Sequence, residues 1–213
     1  MAKQRIPLQL SVQQAGRLRL LIRRHRAEET EYVNTRTAEE AESLTEEEGS
    51  PAWERAVARI RRAVRVEAAG HRPEWWPSLD VLMGEALEAR LKLPDLAGPW
   101  PPLTNFERAR LSLTGRWPAC LSGLEHGTAE RSFTLNVDLV LRLRTAAWRI
   151  SEPILKELEE KNLTGPSRDL SEEARAERDR LAALLYPPSR IAREAVDKHW
   201  PIPLTTSAND TGG

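Results

Sequence analysis

Cys120 and His126 stand six residues apart and could pair a nucleophile with a base, or supply half of a zinc site. A zinc site needs more sulfur or imidazole at ligand spacing. Cys120 is the only cysteine, and His25, His71 and His199 show no such spacing. Asp80 with Glu85, or Glu125 with Glu130, could divide acid and base roles, but any Glu-rich chain offers such pairs. There is no phosphate-binding glycine loop, dinucleotide fingerprint or hydrolase elbow. The expectation is a protein that is not an enzyme, with no catalytic residues, no metal and no cofactor. What remains is the chemistry of recognition. From Ala2 to Arg26 the chain carries Lys3, Arg5, Arg17, Arg19, Arg23, Arg24 and Arg26 without one acid. Cations gathered in this way suit a polyanion.

The elements that must position these residues come next. The 213 residues hold 32 Lys plus Arg and 32 Asp plus Glu, so net charge favours no particular partner. At 40% hydrophobic and 30% charged residues, a mainly α protein is expected. One cysteine excludes a disulfide framework, and a reducing, cytoplasmic compartment is the simplest expectation. No apolar run is long enough to span a bilayer, and no secretory leader pattern is present.

Ile6 to Leu10 alternates with period two, placing Ile6, Leu8 and Leu10 on one face and Lys3, Arg5 and Gln9 on the other. Pro7 donates no backbone hydrogen bond, which a two-stranded ribbon tolerates because each strand has a free side. Ser11 is an N-cap candidate. Val12, Ala15, Leu18 and Ile22 then follow at helical spacing, predicting a helix over 12–26. Residues 27–50 are acidic and read as a linker or a short solvated helix. Trp53, Val57, Ile60 and Val64 predict a helix from Trp53 to about Ala69. Its Arg55, Arg59, Arg61, Arg62 and Arg65 could contact phosphates, but a solvated face balanced by nearby glutamates is the favoured reading.

A further helix is expected from Leu79 to Leu91, then a Pro-rich loop. Thr104 and Glu107 form a capping box for a helix to about Leu113. After an irregular stretch, Arg131 to Leu135 reads as a second strand, with Asn136 as cap and Val137, Val140, Leu143 and Ala147 as the stripe of a helix to Arg149. Ser151 is expected to cap the next helix, with Pro153 in its first turn. Helices beginning at Asp169 or Ser171 and at Pro188 complete the chain, before a disordered tail. The division is then 1–26, 27–50, 51–128, 129–203 and 204–213. The seven tryptophans, four of them before proline, read as core plugs and loop anchors rather than a base-stacking platform.

The opening recurs. At a fixed offset of 135 − 10 = 125, "LSVQQAGRLRLLIRR" lies over "LNVDLVLRLRTAAWR". Leu10, Val12, Arg17, Leu18, Arg19 and Arg24 meet identical residues, and the cap Ser11 meets the cap Asn136. Strand, cap, helix, short loop and a second helix opening at Ser resemble the ribbon-helix-helix DNA-binding family. The likeness is best over Arg131 to Asn162 and partial over Lys3 to Arg26. It implies a helical bundle with short β-ribbon strands, whose outward ribbon face enters the DNA major groove. Carried onto this chain, the resemblance names Lys3, Arg5, Gln9, Ser132 and Thr134 as ribbon residues. Ser151 becomes a phosphate-facing helix start, and Arg23 and Arg24 become charge contacts. The implied protein is a transcriptional regulator or a plasmid- or phage-borne accessory factor, homo-oligomeric, with DNA as partner and no membrane role. The alternative is a helical interaction protein in which the ribbon only brings chains together.

Overall fold

The structure, a computed structural model, describes residues 2–71, 77–107, 128–164 and 169–201. Strand β1 (Lys3–Ser11) runs directly into α1 (Val12–Ala41). Helices α2 (Pro51–His71) and α3 (Leu79–Arg90) follow. Strand β2 (Thr128–Asn136) then runs directly into α4 (Val137–Glu160), followed by α5 (Glu172–Leu184) and α6 (Pro188–His199). The chain is mainly helical, and its two described strands form one antiparallel sheet. Cys120, His126, Trp75, Trp76, Trp117, the expected helix end at Leu113, the irregular stretch and the tail lie outside the described residues.

The chain forms two compact units: Met1–Ala15 with Met83–Gly213, and Gly16–Leu82. In the first, β1 and β2 pair within one chain over Lys3↔Asn136 to Ser11↔Thr128. Pro7 lies opposite Ser132, which is its own repeat mate, because 7 + 125 = 132. Arg5 pairs with Thr134, the mate of Gln9, and Gln9 pairs with Glu130, the mate of Arg5. The register is therefore that of a two-fold axis through Pro7 and Ser132, relating the two strands of one chain.

The inward row explains why the ribbon forms. Ile6, Leu8, Leu10, Phe133 and Leu135 are all buried, each worth ~1.5–3 kcal/mol when taken out of water. Leu139, Val140, Leu143, Ala146 and Ala147 of α4 are buried too. On α6, Ile191, Ala192, Ala195 and Val196 are fully buried. Val12, expected inward, is 67% exposed, while Gln14 is only 6% exposed. Gln14 takes the inward place because its side chain is fully bonded. Its Oε1 accepts from Ser11 N at 3.0 Å, and its Nε2 donates to the Arg193 carbonyl at 3.3 Å and to Asp197 Oδ2 at 2.8 Å. Ser11 Oγ accepts from Gln14 N in return, closing a capping box.

Two helix boundaries differ from expectation. α1 continues through Ala41 rather than ending at Arg26, supported by surface pairs such as Arg36 with Glu39 and Glu40. α4 runs without a break through Ser151 and Pro153 to Glu160. A proline inside a helix costs ~3 kcal/mol. The apolar stripe offsets this, because Trp148, Leu155 and Leu158 continue it on one face into a cluster with Leu103, Leu163, Leu181, Ala182 and Leu185. α4 ends where Asn162 adopts a left-handed φ of 56° and Leu163 N donates back to the Leu158 carbonyl, a helix stop of the Schellman type.

In the second unit Leu18, Val33, Ala56, Val64, Ala68 and Leu82 are buried. Ser50 Oγ caps α2 by accepting from Trp53 N.

Candidate nucleic-acid interface

The outward row of the ribbon is built by parity. Lys3, Arg5 and Pro7 are exposed on β1 and Gln9 is half-buried; Glu130, Ser132 and Thr134 are exposed on β2. Cross-strand pairing sets Arg5 beside Thr134, Pro7 beside Ser132 and Gln9 beside Glu130. Five expected site residues, Lys3, Arg5, Gln9, Ser132 and Thr134, thus share one face. At the ends of this row Ser11 and Asn136 are engaged as helix caps, Asn136 Oδ1 accepting from Asp138 N at 3.0 Å. The face is cationic towards Lys3 and Arg5 and carries Glu130 towards the other end.

Pro7 proves compatible with the strand for a local reason. Gln9 N donates to Ser189 Oγ at 3.0 Å, so odd-numbered backbone groups of β1 point away from β2. Pro7 shares that parity, and its missing N–H removes no rung of the ladder. Gln9 and Ser11 N–H groups on the same edge are satisfied by Ser189 and Gln14.

A part-buried cluster holds α6 at Glu194, five residues beyond Ser189. The Arg90 guanidinium donates to both Asp95 oxygens at 2.8 and 2.6 Å, to Glu194 Oε2 at 2.8 Å and to Tyr186 Oη at 3.0 Å. Tyr186 Oη also donates to Glu194 Oε2. The bond to Asp95 is the main cause holding the Arg90 proton more tightly than usual. Burial pushes the Glu194 carboxyl up, but its bonds from Tyr186 and Arg90 outweigh this and hold it below the ordinary range. Burial, reinforced by Glu194, pushes the Tyr186 hydroxyl up. Arg90, one cation between two carboxylates, ties α6 to the end of α3.

A second clamp orders the Pro-rich loop. The Thr104–Glu107 capping box forms as expected. Glu107 also accepts from Arg149 Nη1 at 2.7 Å, Nη2 at 3.1 Å and Trp148 Nε1 at 3.1 Å. Arg149 chiefly, with Thr104, holds the Glu107 carboxyl down at about 2. Arg149 also donates to the Pro101 and Pro102 carbonyls. Trp148 is both a core plug and a loop anchor here.

Ser151 is a correction. It lies inside α4, fully buried, and its Oγ accepts from Tyr186 N at 2.9 Å. No helix starts there to meet a phosphate, because α4 keeps its apolar stripe in register across the expected turn. Arg23 and Arg24 are exposed on α1, in the other compact unit from the ribbon, and Arg24 pairs with Glu28 at 3.0 Å.

Sequence reasoning missed two residues. Arg131 occupies the inward row where the repeat mate is Ile6, and its buried Nε has no hydrogen-bond partner. Arg144 is half-buried, and burial alone makes its guanidinium easier to deprotonate than usual. The parity count marks Arg131 as inward-facing, so that signal was available. Among the described residues no group of His, Cys, Asp and Glu could hold a metal ion, and no helix is long and apolar enough to cross a membrane. No family model, curated protein or solved structure matches this chain.

Proposed function

We propose that this protein binds duplex DNA without catalysing a reaction, inserting the outward face of its ribbon into the major groove. The observation that carries the reading is the register, which gathers Lys3, Arg5, Gln9, Ser132 and Thr134 on one surface opposite a buried row. Two strands about 4.8 Å apart fit a groove about 12 Å wide. Arg and Lys suit the guanine edge, Gln the adenine edge, and Ser or Thr either. The paired halves imply one chain acting as a two-fold ribbon, in the manner of the ribbon-helix-helix proteins it resembles. The face itself is not symmetric, since Arg5 is matched by Glu130 and Gln9 by Thr134. The reading therefore implies a target whose two halves differ, and a role as a transcriptional regulator or accessory factor.

The test is selection of duplexes from a randomised pool, followed by anisotropy titration across salt. Wild-type protein is expected to enrich a non-palindromic site and to bind it more weakly as salt rises. Arg5→Ala with Gln9→Ala is expected to lose that preference, with about 1–3 kcal/mol of discrimination per base contact removed. A double variant that enriches the same site with the same affinity would overturn the ribbon reading. Absence of salt-sensitive binding by wild-type protein would move the assignment to a helical protein-interaction role.

A further inference from the structure

We propose that the outward arc of α2 is a separate surface that grips the phosphate backbone of duplex nucleic acid. It shares the ligand class of the ribbon reading but rests on different residues, in the other compact unit. Arg55, Arg59, Arg61, Arg62 and Arg65 are all exposed, and none of the five pairs with a carboxylate among the described residues. Some surface arginines elsewhere are paired, as with Arg24 and Glu28, or Arg36 and Glu39.

The spacing explains the difference. Glu54 and Glu67 are the only acids in α2. Positions three and four residues from them hold Ser50 and Pro51, Val57 and Ala58, Ala63 and Val64, and Gly70 and His71. No arginine of α2 therefore stands at a favoured ion-pair separation from either acid. Instead Arg55 and Arg59, Arg59 and Arg62, Arg61 and Arg65, and Arg62 and Arg65 stand three or four residues apart. Those like-charge neighbours destabilise an isolated helix. The five arginines are solvated, as the sequence suggests, but no direct ion pair with a glutamate is formed by them among the described residues. A polyanion would relieve the repulsion.

The geometry selects the polyanion. At about 100° per residue the five arginines cover roughly 160° of the helix, and from Arg55 to Arg65 they span about 15 Å. Duplex DNA presents a charge for every ~1.7 Å of axis, so several phosphates fall within reach. α2 contains no lysine, and the planar guanidinium matches phosphate oxygens two at a time. A membrane surface fits less well. Binding in the interface plane needs a free apolar face, whereas Ala56, Val64 and Ala68 are buried. On the outward side Val66 is the one large exposed apolar residue of α2.

The experiment uses the full chain, a labelled 30-base-pair duplex of mixed sequence and anisotropy titrations over a range of NaCl concentrations. Arg55→Gln, Arg59→Gln and Arg62→Gln are combined, and the same three positions are changed to Lys as a charge-retaining control. The Gln triple is expected to flatten the slope of log K against log salt by about 0.9 per lost contact, or ~2.7 in all. It should also weaken binding about tenfold or more at fixed salt, with helix content by circular dichroism unchanged. The Lys triple should keep most of the slope. If the Gln triple keeps wild-type affinity and slope, the inference is wrong, even where Arg5→Ala with Gln9→Ala loses its site. If the Gln triple loses binding while the Arg5 and Gln9 variant does not, the α2 surface stands and the ribbon reading falls. Binding of phosphatidylserine vesicles through these arginines, with none to the duplex, would overturn the proposal in favour of a lipid surface. Salt-sensitive self-association without duplex binding would overturn it as well.

Discussion

Replacing Gln14 should loosen α6 from the ribbon, and the loss can be worked from three bonds. Gln14→Ala removes the acceptor of Ser11 N and the donors to the Arg193 carbonyl and Asp197 Oδ2. The bond from Gln14 N to Ser11 Oγ survives. A neutral bond contributes about 0.5–1.5 kcal/mol net and one to a charged group about 1.5–3. The site is nearly closed to water, so a loss of about 3 kcal/mol is expected. For a unit of this size that lowers Tm by about 6–12 °C, read by calorimetry. Gln14→Glu is the sharper test. The introduced carboxylate still accepts from Ser11 N but has no hydrogen to offer, and it faces Asp197 and a carbonyl. Its folded pKa is raised above the ordinary value of about 4.3. Its stability is therefore fully present below that value and lost as pH rises through the raised one. At pH 7 Gln14→Glu should be less stable than Gln14→Ala, and the gap should close towards pH 4. If Gln14→Glu matches wild type at neutral pH, or tracks Gln14→Ala at every pH, the Nε2 donors are not what seats α6.

Ser151→Ala strands the Tyr186 N–H in a buried setting and should lower stability by about 1–3 kcal/mol in denaturant titrations. Duplex affinity should stay unchanged, whereas a phosphate-holding Ser151 would lose it. Glu107→Gln tests the loop clamp against pH. The Glu107 pKa is depressed to about 2, chiefly by Arg149, so its stabilisation is present above about 4.5 and lost as pH falls through about 2. Wild type should lose more stability over that window than the variant, measured by acid titration of Trp fluorescence. Equal acid limbs would show that the Arg149 pair does not hold the loop.

Much of the local structure is written in the chain. Alternation at Ile6, Leu8 and Leu10 marked a strand and its faces, and the caps at Ser11, Asn136, Ser171 and Thr104 were readable because capping is a short-range bond. The offset of 125 residues narrows the register, since a two-fold pairing of the repeats must set some residue against its own mate, but only the structure makes that residue Pro7. Tertiary structure decided the rest. Ser151 and Pro153 look like a helix start when read locally. They sit inside α4 because Trp148, Leu155 and Leu158 bury one continuous stripe, and packing outweighs a local signal. Ser189 supports the ribbon from 180 residues away, and Arg90 reaches Glu194 across 104. Partners so distant leave no periodicity in the sequence. The opening cluster of cations was plain from composition, but only strand pairing made Lys3, Arg5 and Gln9 neighbours of Thr134 and Ser132. A side chain's face follows from its own few neighbours; its partner depends on where the whole chain brings the other strand.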